Sequence, residues 1–278
     1  MKPKSAFLLP PRRLSSFISA AIIRDTRGAD LGEHDRFNYF PSTPLVSVTS
    51  IIEGELRNVS AVGDISSARQ ASAMPNLTVE PPQDHPTMSW SAGGVYAVTV
   101  GFYSDAWVAL GFDLEDGNLP AALHAAFTEF SADRDPEAAW AGFCRSLAPV
   151  WESRTRPDDI VDWPGSGHVA DWARYIFSRI AMSAQGKSVR TLERRLKRWT
   201  GKTRQELDHY ASMEDLHRRI VEDPDAPLAN IASDAGYSDQ SHMGRAVRQA
   251  TGFSPAKLNR LIQSDEAFWC YRLLGERY

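Results

Sequence analysis

The sequence predicts an α+β chain, with a β-rich barrel and flanking helices in the N-terminal part and an all-helical C-terminal part. Three observations carry this. Apolar runs with strand character recur between about Leu45 and Leu114, separated by Gly and Pro turns. From Pro120 the apolar period shifts toward 3.6 residues. The stretch from Glu152 to Gly167 places Pro157, Pro164, Gly165 and Gly167 among charges, which reads as a linker. The boundary falls near Asp162, dividing the chain into 1–162 and 163–278.

In chain order, Arg12-Arg13 followed by Leu14 to Ile23 has the crude outline of a signal peptide. Pro10-Pro11 precede it, no small-residue cleavage site follows, and Arg24-Asp25 closes it. The expectation is an amphipathic helix inside the folded domain. Leu45 to Ile52 reads as a strand ended by Gly54, and Val95 to Val100 and Ala106 to Phe112 read likewise. Such short strands suggest a small antiparallel barrel or sandwich. Pro120 opens a helix with Ala122, Leu123, Ala126, Phe127 and Phe130 on one face. Asp135-Pro136-Glu137 starts another, with Ala139, Trp140, Phe143, Leu147 and Val150 inward. Beyond the linker, Val169, Trp172, Ala173, Ile176, Phe177, Ile180 and Ala181 form one stripe. Further helices are expected over Ser188–Trp199, Met213–Val221, Leu228–Ala235, Asp239–Ala250 and Pro255–Ile262. The aromatic tail Asp265 to Leu274 is expected to pack against the last of them.

The 278 residues are 42% apolar and 24% charged, which excludes a disordered or collagen-like chain. No run approaches the roughly 18 apolar residues of a membrane span, so no membrane partner is expected. Cys144 and Cys270 are too few for a disulfide framework and read as buried thiols in a reducing compartment. The net charge of −4 hides an asymmetry. Residues 1–165 hold 13 Lys+Arg against 21 Asp+Glu, whereas residues 166–278 hold 18 against 14. Lys187 to Arg204 alone carries eight basic residues and one acid, Glu193. An acidic body joined to a basic module suggests an anionic partner.

Two segments sharpen that expectation. In Leu228 to Pro255, a first helix buries Leu228, Ile231, Ala232 and Ala235, and Gly236 makes the turn. Ser238 or Asp239 caps the next helix. Met243, Val247 and Ala250 face inward, and Ser241, Arg245 and Arg248 face outward, flanked by Gln240, His242 and Gln249. Arg can read guanine and Gln adenine in a major groove. In Gly186 to Gly201, Ser188 reads as an N-cap and Val189, Leu192, Leu196 and Trp199 as the buried face. Arg190, Arg194, Lys197 and Arg198 cluster at about 140–240° around the helix. A basic face of this kind displaces counterions from phosphates.

These segments resemble the AraC/XylS family of bacterial transcription regulators. The resemblance is carried by A-G-Y-S-D-Q-S and T-G-F-S-P in the second segment and by S-x-R-x-L-x-R-R-L…T-G in the first. It covers roughly 186–262 well and 166–185 loosely. It implies two helix-turn-helix units joined by a helix over about Met213 to Val221, each laying one helix in the major groove of the same double-stranded DNA. By position it places DNA contacts on Arg190, Glu193 and Arg194, and on Gln240, Ser241 and Arg245. The face analysis adds Lys197, Arg198, His242 and Arg248 as phosphate contacts. Glu193 departs from the basic pattern; it could accept from cytosine or pair with Lys197.

Phe37-Asn-Tyr-Phe-Pro41 and His85-Pro-Thr-Met-Ser-Trp90 resemble, more faintly, the sensor or dimerisation domain of such regulators. There the resemblance implies a cupin-like barrel that binds a small-molecule effector or pairs subunits into a homodimer. It also implies a cytoplasmic, nucleoid-associated bacterial protein, with RNA polymerase as a partner for an activator. No cofactor is expected. His34, His85 and His124 are too widely separated for a metal cupin, no nucleophile-elbow or phosphate-loop fingerprint occurs, and catalysis is not expected. Two readings of the N-terminal domain stay open: a ligand sensor, or a module that only dimerises or recruits a protein. Trp90, Tyr96, Phe102, Tyr103, Trp107 and Phe112 could line a pocket, although core filling is favoured at each. A cavity with a few inward polar groups would favour sensing, and a filled barrel the alternative.

Overall fold

The computed structural model describes residues 1–60, 63–114, 117–154, 168–182, 188–222 and 237–275. Among the described residues, eight strands form two antiparallel sheets. The larger has the order β1 (Lys4–Leu8), β2 (Ile18–Asp25), β8 (Tyr96–Phe102), β4 (Val46–Glu53) and β6 (Leu77–Glu80). The smaller has the order β3 (Phe37–Phe40), β7 (Thr87–Ser91) and β5 (Leu56–Asn58). Alternation along the strands gives the larger sheet two different faces. Ile23, Val48, Val98 and Val100 lie on the face covered by helices. Ile22, Thr49, Ala97 and Thr99 lie on the other, toward Asn38, Thr87 and Ser89 of the smaller sheet, around a cavity of about 50 Å³. Thr49 and Thr99 pair directly across β4 and β8 with their hydroxyls 2.9 Å apart.

Among the described residues, the helices of this half are α1 (Ile65–Gln70), α2 (Ser104–Ala109), α3 (Ala121–Phe127) and α4 (Pro136–Glu152). Asp135 caps α4 by accepting from the Ala138 N–H at 2.9 Å. Two expectations are corrected here. Ala106 to Phe112 is not a strand, because α2 occupies its start. Ala106, Trp107 and Leu110 are buried while Ala109 is exposed, a helical spacing that the apolar run disguises. Arg12 to Ile23 is not a helix. Arg12–Leu14 is a single 3-10 turn, and Ile18 onward is β2, held between β1 and β8. Sheet pairing on both sides overrides the local pattern there.

The second half contains α5 (Val169–Met182), α6 (Val189–Thr200), α7 (Arg204–Glu222), α8 (Gln240–Thr251), α9 (Pro255–Ser264) and α10 (Trp269–Gly275). The joining helix begins at Arg204 rather than near Met213. Its start is set by a reciprocal capping box: the Thr203 N–H donates to Glu206 Oε2 at 2.6 Å, and the Glu206 N–H to Thr203 Oγ1 at 3.3 Å. That T-x-x-E signal is present in the sequence, upstream of the apolar spacing that suggests a start near Met213. The expected helix Leu228–Ala235, the Gly236 turn, the Gln185–Lys187 turn and the boundary near Asp162 lie outside the described residues.

The two halves share cores. Trp172, Ile176 and Ile180 of α5, Leu196 of α6 and Leu207 of α7 belong to the cluster that lies under the larger sheet. A second cluster joins Phe37, Tyr39 and Trp90 to Met243, Val247, Phe253 and Phe268. Tyr39 stacks on Phe268 with centroids 4.6 Å apart. The tail packs on the barrel as well as on the last helices. Trp269 Nε1 donates to Asn38 Oδ1 at 2.8 Å, and Arg24 pairs with Glu266 at 2.6 Å. Cys144 and Cys270 are both buried free thiols. Among the described residues, no helix is long and apolar enough to cross a membrane.

Candidate nucleic-acid interface

Helices α6 and α8 end in the same way. Each closes on a Thr-Gly pair in which the glycine adopts a left-handed conformation, φ 71° at Gly201 and 81° at Gly252. Thr200 Oγ1 donates to Leu196 O at 2.9 Å and accepts from the Lys202 N–H at 3.1 Å. Thr251 Oγ1 donates to Val247 O at 2.7 Å and accepts from the Phe253 N–H at 3.2 Å. Both threonines are buried. The two helices are therefore structural equivalents, and Arg194 and Arg245 occupy the same place in each, six residues before the threonine.

The inner face of α6 holds Leu192, Leu196 and Trp199. Val189, expected on that face, is 70% exposed, because it lies at the first turn beyond the edge of the packed surface. Ser188 is at the N-cap position, but its hydroxyl meets that of Thr191 at 3.1 Å rather than a backbone N–H. Arg190, Glu193, Arg194, Lys197 and Arg198 are all exposed. Arg190, Arg194, Lys197 and Arg198 make no ion pair with any described carboxylate. The rest of the basic run behaves differently. Lys202 is buried and pairs with Asp84 of the barrel, Arg204 pairs with Asp208, and Arg195 lies over the Trp199 ring.

In α8, Met243, Val247 and Ala250 are buried, as the spacing requires. Asp239 caps the helix, its carboxylate accepting from the His242 N–H at 2.7 Å, and this bond lowers the Asp239 pKa. Gln240, Ser241, His242, Arg245, Arg248 and Gln249 are all exposed. His242 is partly committed, with Nδ1 3.2 Å from the Ser238 hydroxyl.

A larger cavity, about 250 Å³, opens between the mouth of the barrel and the helices α7, α8, α9 and α10. Its exposed wall is mainly apolar, and the polar side chains on it include the carboxylates of Glu80 and Glu214, the His217 imidazole, the Gln83 and Asn259 amides and several hydroxyls such as Thr49 and Thr99. Burial raises the Glu80 pKa and lowers that of His217 to about 4. None of Trp90, Tyr96, Phe102, Tyr103, Trp107 and Phe112 lines it. All but Phe112 are buried in the core clusters, and Phe112 packs edge-on against Trp107. Sequence reasoning missed this cavity, because its wall is assembled from residues nearly 270 positions apart, from Phe7 to Leu274.

Residues 183–260 match the family model of a helix-turn-helix domain. No curated protein matches the chain. Solved structures similar to it include ToxT from Vibrio cholerae O395, at 10% identity and TM-score 0.40, covering 95% of this chain and 98% of that one. A further crystal form of ToxT from Vibrio cholerae has 11% identity and TM-score 0.39, covering 81% and 95%. An unsaturated fatty acid-bound ToxT from strain SCE256 has 10% identity and TM-score 0.38, covering 93% and 94%.

Proposed function

Starting from the helix-turn-helix domain over residues 183–260, we propose that this chain is a sequence-specific, DNA-binding transcription regulator of the AraC/XylS type, controlled by a small effector. The observation that carries the reading is the repeated α6 and α8 construction. Two equivalent helices, closed by the same threonine-glycine cap, present Arg190, Glu193, Arg194, Lys197 and Arg198, and Gln240, Ser241, His242, Arg245 and Arg248, to solvent. Arginine in that setting suits guanine edges and phosphates, and the exposed Gln240 suits adenine. Residues 1–162 act as the sensor and dimerisation part and residues 163–278 as the DNA-binding part, in a cytoplasmic homodimer.

The cavity of about 250 Å³, whose exposed wall is mainly apolar with polar side chains interspersed, supports the sensing role over dimerisation alone. Its wall includes α7, which joins the two units, so an occupant would touch both sensor and DNA-binding parts. A ligand that prefers one arrangement of these elements shifts its population.

Footprinting of the purified chain on genomic fragments tests the reading. The expected result is discrete sites with two protected segments about 10 base pairs apart. Uniform, sequence-independent protection would remove it.

A further inference from the structure

Resting on the regulator reading above, we propose that the rim of the barrel sets the spacing between the two half-sites that the chain accepts, with Asp84 as the positioning residue that ties α6 to that rim. The rim has two lips. Residues 42–44 lie between β3 and β4, and residues 83–86 between β6 and β7. Thr43 and Gln83 lock the lips together through reciprocal backbone bonds, Thr43 N–H to Gln83 O at 3.0 Å and Gln83 N–H to Thr43 O at 2.8 Å. The Ser104 hydroxyl of α2 donates to Pro44 O at 2.6 Å and holds the first lip to the body of the barrel half.

Each lip reaches the cap of one reading helix. Lys202 directly follows the Gly201 cap of α6, its side chain is buried, and its ammonium pairs with Asp84. The Tyr210 hydroxyl of α7 stands 3.0 Å from both Asp84 Oδ1 and Gln83 O. At α8, the Ser42 N–H donates to Ala250 O at 2.9 Å, a last-turn carbonyl for which the helix itself has no donor. Pro86 Cγ lies 3.7 Å from the point that a Cβ on Gly252 would occupy. Two caps far apart in the chain are thus fastened to one small, cross-linked piece of the barrel. The reading helices themselves belong to different cores. Leu196 of α6 is in the cluster under the larger sheet, whereas Met243 and Val247 of α8 are in the other. Helix α7 runs between them, with Leu207 in the first and Leu216 and Ile220 in the second. A single helix between two bodies holds their separation better than their rotation about its axis. The rim supplies a second tie, made at the caps, and restrains that rotation. One base pair added between half-sites shifts the second by about 3.4 Å and turns it by about a tenth of a turn. A chain held at both caps cannot follow without breaking a tie.

The test uses the full chain in gel-shift titrations, on the footprinted site and on versions with one base pair inserted or removed between its two protected segments. The parent is expected to lose at least about tenfold in affinity on either altered spacing. Asp84→Ala is expected to lose no more than about threefold between spacings, and Lys202→Ala to match it, because both break the same bond and the double variant should add nothing further. Circular dichroism melts verify that each variant is folded at the titration temperature. A merely structural role for Asp84 would lower affinity on all three spacings by one factor and keep the parent's preference, which would overturn the proposal. A parent that accepts all three spacings equally would also overturn it. So would an Asp84→Ala variant that binds the original site more tightly than the parent, the mark of a rim that holds the helices away from DNA. Absence of any discrete two-segment site would overturn the regulator reading itself, and the proposal with it.

Discussion

Trp172 Nε1 donates a hydrogen bond to Asp105 Oδ1 at 2.7 Å, joining α5 to α2 inside the larger core. Arg179 approaches the same carboxylate at 3.7 Å. Burial outweighs both partners and raises the Asp105 pKa to about 6. A carboxyl whose folded pKa lies above its unfolded value stabilises the fold at low pH, and that stability is lost as pH rises through about 6. Asp105→Asn keeps the acceptor for Trp172 and removes the charge. It should stabilise the chain at pH 8 by up to about 3 kcal/mol, and by less at pH 5. Urea denaturation at the two pH values checks this. Equal or lower stability of the variant at pH 8 would show that Arg179 compensates the buried charge.

The paired threonine caps predict a paired cost. Thr200→Val and Thr251→Val preserve shape but lose the bond to the carbonyl one turn back and the acceptor for the N–H beyond the glycine. Each should destabilise by about 1–3 kcal/mol, because buried backbone groups lose their partner. Chemical denaturation of both variants should give similar losses. A loss at one site only would separate the two units energetically.

The faces of α6 and α8 were legible in the sequence because they are local. Helical spacing sorts Met243 and Val247 from Arg245 and Arg248 without knowledge of the rest of the chain. What was not legible depends on distant partners. The Ala106 run looks like a strand until Trp107 and Leu110 are seen to bury one helical face. Lys202 counts with a basic run in sequence, yet in space it belongs to Asp84, more than a hundred residues away. Apolar patterning puts the tail on the last helices, but Trp269 also needs Asn38, a partner 231 positions away that no local pattern pairs with it. The cavity follows from the same docking, so no local pattern announces it.

Equivalent arginines should behave alike on DNA. Arg194→Ala and Arg245→Ala are each expected to cost about 1–3 kcal/mol on the cognate site and to relax base preference at one position, in opposite halves of the site. Gel-shift titrations with single-base variants of the site locate those positions. If both substitutions leave affinity and preference unchanged, these helices do not read bases.

Lys197 and Lys202 lie five positions apart, and the structure assigns them different work. Lys197 is exposed on α6, whereas the Lys202 side chain is 5% exposed and its ammonium pairs with Asp84. Tyr210 donates to the same carboxylate oxygen at 3.0 Å, so Lys202 anchors the helical half to the barrel. Lys197→Ala should weaken binding to all DNA sequences similarly. It should also shallow the salt dependence by about 0.9 in the log–log slope for one lost phosphate contact, with stability unchanged. Lys202→Ala should do the reverse. It leaves the salt slope at the parent value but lowers folding stability by about 1–2 kcal/mol, because Asp84 is half exposed and water recovers part of the loss. Measuring both variants by salt-dependent titration and by urea denaturation yields a crossed pattern. If Lys202→Ala instead changes the salt slope, the lysine leaves Asp84 when DNA is bound, and the docked arrangement of the two halves is not the DNA-bound one.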